Sequence, residues 1–513
     1  MRKKLLLIFL FLLQASSALA KTYDLEIKKQ DVFITGKAVE AITINGSIPG
    51  PTLRFKEGED VVINVKNSMD EKTSIHWHGL LLDGSMDGVP GLNGFHGIDP
   101  NTTFTYKFKI RQKGTYWYHS HSNLQEQQGV YGSIVIEPSE IKADREYVIV
   151  LSDFTEENPN TVLNNLKIDS GYYNYNKRTV FTFFSDIKKN GFSATLRDYM
   201  NWGDMRMDPT DLSDVTRYHF LTNGKTPKQN WTGIFRKGEK IKLRFINASA
   251  MTIYDISIPG LKMKFVEADG QKVKPVVRDE FRFGVAETYD VIVEPKEDKA
   301  YTIFAESIDR TGYARGTLAP KEGMEGAIPK MRSRAILTMA DMAMDHSTMH
   351  HDMSDMNMDE VKSGWAKRGT PKGNKALEYS DLISLHPQKD LRQPVREIEF
   401  KFGGSMNRYI WTINGEKFPK PFHLKFGERV RLKFTNETMM AHPIHLHGMF
   451  MQLENGQSMK WIPNKHTVIV PPAQTVSLLL TADEAGEWAF HCHLLLHMAS
   501  GMMTSVTVDK EGK

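Results

Sequence analysis

Cysteine is almost missing from this chain. Cys492 is the single one in 513 residues, so no internal disulfide can form, and the cysteine that a bacterial lipoprotein needs just after its leader is absent. Charge of one sign is scarce as well. The formal net charge is +4, and three of the cations, Arg2, Lys3 and Lys4, lie in a first stretch of twenty residues without an acid, so about +1 remains on the rest. That balance leaves no electrostatic footprint for nucleic acid. The apolar run Leu5–Leu13 is too short to span a bilayer, and no other run is long enough for a membrane helix. With its basic start and the small-residue stretch Ala18-Leu19-Ala20, residues 1–20 read as a secretory signal peptide. No Arg-Arg pair stands there, which points to the general secretory route rather than the twin-arginine route. The expected mature chain is soluble, resides in a bacterial periplasm and, at about 150 residues per domain, divides into about three domains.

The one cysteine stands in a dense setting: His491-Cys492-His493, then His497 and Met502. On an extended segment neighbouring side chains point to opposite faces, so His491 and His493 share one face and Cys492 takes the other. One strand can then serve two metal sites. A thiolate with imidazoles and a weak thioether is the ligand set of a blue copper electron-transfer centre, with His497 and Met502 the local candidates. A buried cysteine among incidental histidines is the plainer alternative, and the density of ligand residues argues against it.

An internal triplication organises the rest. Gly58–Asn67 (GEDVVINVKN) recurs as Gly238–Asn247 (GEKIKLRFIN) and as Gly427–Asn436 (GERVRLKFTN), each with the alternating apolar residues of a half-buried strand. Each copy is preceded by an Asn-Gly pair, Asn45-Gly46, Asn223-Gly224 and Asn414-Gly415, which predicts a tight turn between strands. Three homologous β-sandwich domains follow. After the first copy comes His76-Trp77-His78-Gly79 and after the third His445-Leu446-His447-Gly448, whereas Tyr254-Asp255-Ile256 stands at the matching place after the second. The middle domain therefore reads as a spacer without metal ligands. His119-Ser120-His121 matches His491-Cys492-His493, with Ser120 in the place of Cys492, which restricts the thiolate site to the third domain.

Four histidine motifs result: His76-x-His78, His119-x-His121, His442-x-x-His445-x-His447 and His491-Cys492-His493-x3-His497. On strands, four His-x-His pairs from two domains can converge as eight imidazoles, leaving His442, Cys492, His497 and Met502 for the other site. Eight neutral imidazoles make a poor core, because every ring nitrogen would need a partner; metals supply it. A lone thiolate beside a thioether selects copper over zinc or iron.

These motifs resemble the four copper-binding signatures of the three-domain multicopper oxidases, the laccase and ascorbate oxidase family. Asn230–Gly233, Arg244–Met251, Ala286–Asp290, Gly312–Gly316 and Met205–Pro209 resemble its bacterial copper resistance protein A branch, over nearly the whole mature chain. The resemblance implies an all-β fold of three tandem cupredoxin-like Greek-key sandwiches, here bounded as 21–140, 141–320 and 376–513, with 321–375 a Met/His/Asp-rich linker. It implies four copper ions: a type 1 ion on His442, Cys492 and His497 with Met502 axial; a type 2 ion on His76 and His445; and a type 3 pair on His78, His119, His121, His447, His491 and His493. Electrons taken singly from Cu(I) or small phenolic reductants would pass through Cys492 to its neighbours and reduce dioxygen to water, with Asp87 the acid near the type 2 ion. An axial methionine implies a lower potential and easily oxidised donors. A monomer, loaded after export by a periplasmic copper chaperone, is the expected form.

Between Met339 and Met358 lie seven methionines (Met339, Met342, Met344, Met349, Met353, Met356 and Met358) with His346, His350, His351 and several aspartates. Soft thioethers select Cu(I), so the expectation is recruitment of cuprous ions, against the plainer reading of a polar loop. His96, His219, His386, His423 and His466 stand alone and are expected in ordinary roles. No acid occurs in the last motif, where Leu495, Leu496 and Met498 stand. A copper-sequestering protein is the competing function, though sequestration needs no eight-imidazole cluster. A copper nitrite reductase, built from two-domain chains, fits three domains poorly.

Overall fold

The computed structural model describes residues 21–137, 142–204, 208–333, 335–338, 341, 365, 368–405 and 408–509. Residues 1–20, expected to be a signal peptide, and the candidate copper-recruiting residues Met339, Met342, Met344, His346, Met349, His350, His351, Met353, Met356 and Met358 lie outside the described residues.

Among the described residues the strands form six sheets, two for each third of the chain. In the first unit one sheet runs Val39–Ile44, Lys21–Val32, Asp60–Asn67, Thr103–Lys109, and the other Gly50–Lys56, Tyr131–Glu137, Gly114–His119, His76–His78. The sequence repeat is a structural repeat. Asp60–Asn67, Ile241–Asn247 and Arg429–Asn436 pair parallel with the opening strands of their units, Lys21–Val32, Arg145–Phe154 and Arg396–Ser405, and antiparallel with later ones. Parallel neighbours need a connection that leaves the sheet; in the first unit Gly50–Lys56 makes it through the opposite sheet, which is Greek-key wiring. Asn45, Asn223 and Asn414 have φ of 52°, 50° and 53° and the following glycines 78°, 73° and 80°, the paired left-handed residues of a type I′ hairpin.

The middle copy departs from the alternating pattern. Ile241–Asn247 is buried at every residue, because its polar face is turned onto neighbours. Lys242 Nζ lies 2.9 Å from Asp290 Oδ2, and Arg244 spans Asp290 Oδ2 at 2.7 Å and Thr115 Oγ1 of the first unit at 2.8 Å. The third unit is pinned in the same manner: Lys465 Nζ lies 3.2 Å from Asp269 Oδ1 and 2.7 Å from Glu287 Oε1, all fully buried. The first and third units meet directly, where Asn93 and Glu487 exchange three hydrogen bonds of 2.7–2.9 Å and Arg111 pairs with Glu484. Ala376–Leu377 runs parallel to Glu280–Phe283 on the edge of a middle sheet.

Helices interrupt the β pattern where the sequence reading placed none. Pro159–Ile168, Val180–Asn190 and Phe192–Asp204 form an insertion in the middle unit. Asn158 caps the first, Thr179 and Thr182 form a reciprocal capping box on the second, and Gly191 at φ 84° stops it. Leu495–Ala499, one short helix, carries His497.

Candidate metal centre

Strand register assembles the histidines. His76 lies opposite His119 where His76–His78 pairs with Gly114–His119, and His445 lies opposite His491 where His442–Leu446 pairs with Gly486–Cys492. Residues two apart share a face, so both sets project into the seam between the first and third units. There the ligand atoms of His78, His119 and His493 lie within 4.8 Å of one another, as do those of His121, His447 and His491, and those of His76, His445 and His447.

The outer ring nitrogens of four of these histidines are anchored, whereas His78 Nδ1 is buried without a partner. His76 Nδ1 lies 2.9 Å from the Asp87 carbonyl oxygen, His445 Nδ1 2.7 Å from the His466 carbonyl, His491 Nδ1 3.0 Å from the Cys492 carbonyl, and His447 Nδ1 2.8 Å from Asp87 Oδ2. A carbonyl or carboxylate only accepts, so each Nδ1 carries the proton and each Nε2 presents a lone pair. His447 Nε2 and His491 Nε2 nevertheless face each other at 3.2 Å, and His121 Nε2 and His491 Nε2 at 3.3 Å. The Nε2 atoms of His76, His78, His119, His445 and His493 are buried without a hydrogen-bond partner. Converging lone pairs with no donor between them repel unless a cation lies among them; the donor set fits metal and fits little else. Burial, reinforced by neighbouring imidazoles, holds His78, His119, His121, His445, His447 and His493 well below the ordinary histidine range, and burial lowers His491 to about 4. Neutral imidazole is the ligating form.

Behind His491 and His493, on the opposite face of the strand, the second site inverts this arrangement. His497 Nε2 lies 2.7 Å from Asp214 Oδ2 and His442 Nε2 2.7 Å from Thr438 Oγ1. Their Nδ1 atoms are 3.2 Å apart and reach Cys492 Sγ at 3.9 and 3.6 Å. Trp411 stacks on the His497 ring at 3.7 Å. Met502 is fully buried and its carbonyl accepts from Cys492 N at 3.1 Å. Burial pushes the Cys492 thiol up, so a thiolate there requires a cation as partner. Two imidazoles and one thiolate, with a buried methionine hydrogen-bonded to Cys492 through the backbone, suit copper.

A sandwich repeat bearing one thiolate site and one imidazole cluster between its first and last members defines a copper oxidase of the blue type. Models of the multicopper oxidase family match residues 26–141, 145–323 and 392–512, and the chain belongs to the multicopper oxidase family, whose members carry four coppers as type 1, type 2 and binuclear type 3 centres. It is 47% identical to Copper resistance protein A of Escherichia coli, covering 97% of this chain and 94% of that one. It is also 47% identical to a Copper resistance protein A homolog of Pseudomonas syringae pv. tomato, over 95% and 92%. The crystal structure of Fet3p, a multicopper oxidase that functions in iron import, shares the fold with a TM-score of 0.70 at 19% identity, over 96% of this chain and 90% of that one.

Three side chains at these sites were not singled out by the sequence. Asp214 belongs to the middle unit, which is therefore more than a spacer: it supplies the acceptor for His497. Glu126 is buried with Oε2 2.6 Å from His119 Nδ1. His466 is buried beside His78, ring centroids 4.7 Å apart, with Nδ1 on Thr467 Oγ1 at 3.1 Å. All three are acids or imidazoles without a repeat or motif to mark them, so only the fold reveals them.

Proposed function

We propose that this multicopper oxidase takes Cu(I) as its principal reductant, with phenolic compounds as secondary ones, and serves copper resistance in the periplasm. In this reading His442, Cys492, His497 and Met502 hold the type 1 ion and His76 and His445 the type 2 ion. His78, His119 and His493 hold one type 3 ion and His121, His447 and His491 the other. The coppers supply one-electron acceptance at the type 1 site and reduction of dioxygen to water at the cluster: four Cu(I) ions give up one electron each and, with four protons, one dioxygen becomes two waters.

The chain's own residues do the rest. Cys492 is bonded through the backbone to both His491 and His493, whose Cα atoms lie about 3.8 Å away, so the covalent route between the sites is one residue long. Asp87 fixes the rings of His76 and His447 through Nδ1. The observation that carries the choice of Cu(I) is the buried acid beside the type 1 site: Asp214 contacts His497 directly, and Asp211, raised to about 6 by burial and by the charges of Asp208 and Asp214, is near enough to interact with it. Carboxylates favour a cationic donor over a neutral one. The names of the copper-resistance relatives support the same substrate.

Export through the leader 1–20, action as a monomer, copper loading by a periplasmic chaperone and Cu(I) recruitment by the segment Met339–Met358 rest on sequence. The domain bounds 21–140 and 141–320 are supported by the pairing of sheets, two for each third of the chain, while the third, 376–513, is supported only from Arg396–Ser405 onward, since Ala376–Leu377 lies on a middle sheet. The test is oxygen uptake on adding Cu(I) to the fully copper-loaded protein. We expect one dioxygen for every four Cu(I) ions, and none with Cys492→Ser, which also loses the blue colour; uptake no faster than the chemical background overturns the reading in favour of sequestration.

A further inference from the structure

The last histidine motif carries no acid, since Leu494, Leu495, Leu496 and Met498 flank His497 in the chain. A buried carboxylate nevertheless stands beside the cluster, brought by another element. Glu126 lies in the turn after Gly114–His119, 2% exposed. Its Oε2 is 2.6 Å from His119 Nδ1 and its Oε1 is 3.9 Å from His493 Nδ1. Oε1 has no hydrogen-bond partner, and the Nε2 atoms of both rings are likewise unpartnered.

The turn is built to hold this side chain in place. Gln125, Glu126 and Gln127 are consecutive and all buried, an expensive arrangement for three polar residues unless each is used. Gln125 Oε1 accepts from Thr73 Oγ1 at 2.7 Å and Ser120 Oγ at 2.9 Å, while its Nε2 donates to the Lys72 carbonyl at 2.8 Å. Gln127 Nε2 donates to the Asp153 carbonyl at 3.2 Å and to Asp153 Oδ1 at 3.3 Å, on the first strand of the middle unit. Both neighbours of Glu126 are thus fixed, one within the first unit and one to the second.

Asp87 occupies the mirror position. Its Oδ2 is 2.8 Å from His447 Nδ1 and its Oδ1 3.3 Å from His76 Nδ1. Each carboxylate therefore spans one histidine of the first unit and one of the third. We infer that Glu126 is the positioning residue of the type 3 pair, orienting His119 and His493 across the seam so that both present Nε2 to the same ion. Its second oxygen, unpartnered and 3.9 Å from His493 Nδ1, would be the acceptor for that ring with an ion held at Nε2. The Ser120 carbonyl, 3.1 Å from His119 Nδ1, is a second acceptor for His119 alone and cannot tie the two units together.

The inference rests on the copper assignment proposed above. Parent protein that binds four coppers and is blue upholds that assignment whatever the variants do. The test compares Glu126→Ala and Glu126→Gln with the parent by copper content, the near-ultraviolet band of the type 3 pair, the blue band as internal control, and melting of the copper-free protein. Outer partners of metal-bound histidines are worth about 10- to 100-fold in affinity. The expected result is type 3 copper yielded to a chelator at about 10- to 100-fold lower concentration in Glu126→Ala, with the blue band and copper-free melting unchanged. Glu126→Gln, the same size but able to accept through one oxygen only, should fall between. If the alanine variant does not fold, the glutamine variant decides. Any folded variant of the two that keeps the near-ultraviolet band to the parent's chelator concentration overturns the inference, as does one that loses both bands together.

Discussion

Removing the charge beyond His497 offers the sharpest test of how the middle unit tunes the type 1 site. Asp214 Oδ2 lies 2.7 Å from His497 Nε2, and the pair is buried. Crossing the imidazole adds about 2 Å and a metal–nitrogen bond about 2 Å more, which puts the carboxylate about 7 Å from an ion held at Nδ1. At an effective dielectric constant of about 20, a unit charge at that distance is worth about 2 kcal/mol. The oxidised site carries one more positive charge than the reduced one, so Asp214 stabilises the oxidised form and holds the potential down. Asp214→Asn keeps size and an acceptor while deleting the charge. With about 59 mV for each tenfold change in a one-electron equilibrium, the type 1 potential should rise by about 100 mV. Redox titration of the blue band measures this directly. Steady-state kinetics should also show a higher KM for Cu(I) and little change for a neutral phenol. A potential that stays put or falls refutes the electrostatic argument; a lost blue band shows instead that Asp214 is needed to hold the ring at all.

Two further outcomes follow from the geometry. Gly88, after the ring-holding Asp87, has φ +82°, and a Cβ there would sit 1.8 Å from the Ile75 carbonyl oxygen. Gly88→Ala must displace backbone as well as adopt a strained left-handed residue at about 1–3 kcal/mol, so it should lower the melting temperature and weaken cluster copper while sparing the blue band; wild-type melting and copper retention contradict this. In the copper-free protein His491 and His466 are lowered by burial to about 4, against about 6.5 when unfolded. Their contribution is complete above pH 6.5 and is lost as pH falls toward 4, because only the unfolded chain takes up the protons. Urea unfolding should show stability dropping by about 1.4 kcal/mol per pH unit for each such group, and a flat profile between pH 7 and 5 counts against it.

What the chain revealed in advance tracks the length scale of the physics. The type I′ turns at Asn45, Asn223 and Asn414 are set by two adjacent residues, and the repeat Gly58–Asn67, Gly238–Asn247, Gly427–Asn436 by side chains alternating on one strand, so both were legible. The convergence of His76, His119, His445 and His491 was legible too, because period-two spacing and strand pairing leave few alternatives. Asp214, Glu126 and His466 were not, since each meets its partner only through packing between units: Asp214 and His497 are separated by 283 residues. The burial of Lys242 and Arg244 was hidden for the same reason, as it depends on Asp290 and Thr115. The helical insertion Pro159–Asp204 broke no repeat and bore no ligand motif, and its capping signals at Asn158 and Thr179 are brief.

The clamping of one first-unit and one third-unit histidine by each of Asp87 and Glu126 also bears on the order of events in making the protein. His76 to His121 are polymerised more than 300 residues before His442 to His497. A chain still being made therefore exposes only the isolated imidazole pairs of its first unit, each a weak ligand, and not the seam site. On the assignment proposed above, the seam site of His76, His78, His119 and His121 with His445, His447, His491 and His493 would take copper only once both ends of the polypeptide have met, whereas the site on Cys492 is made within the last unit.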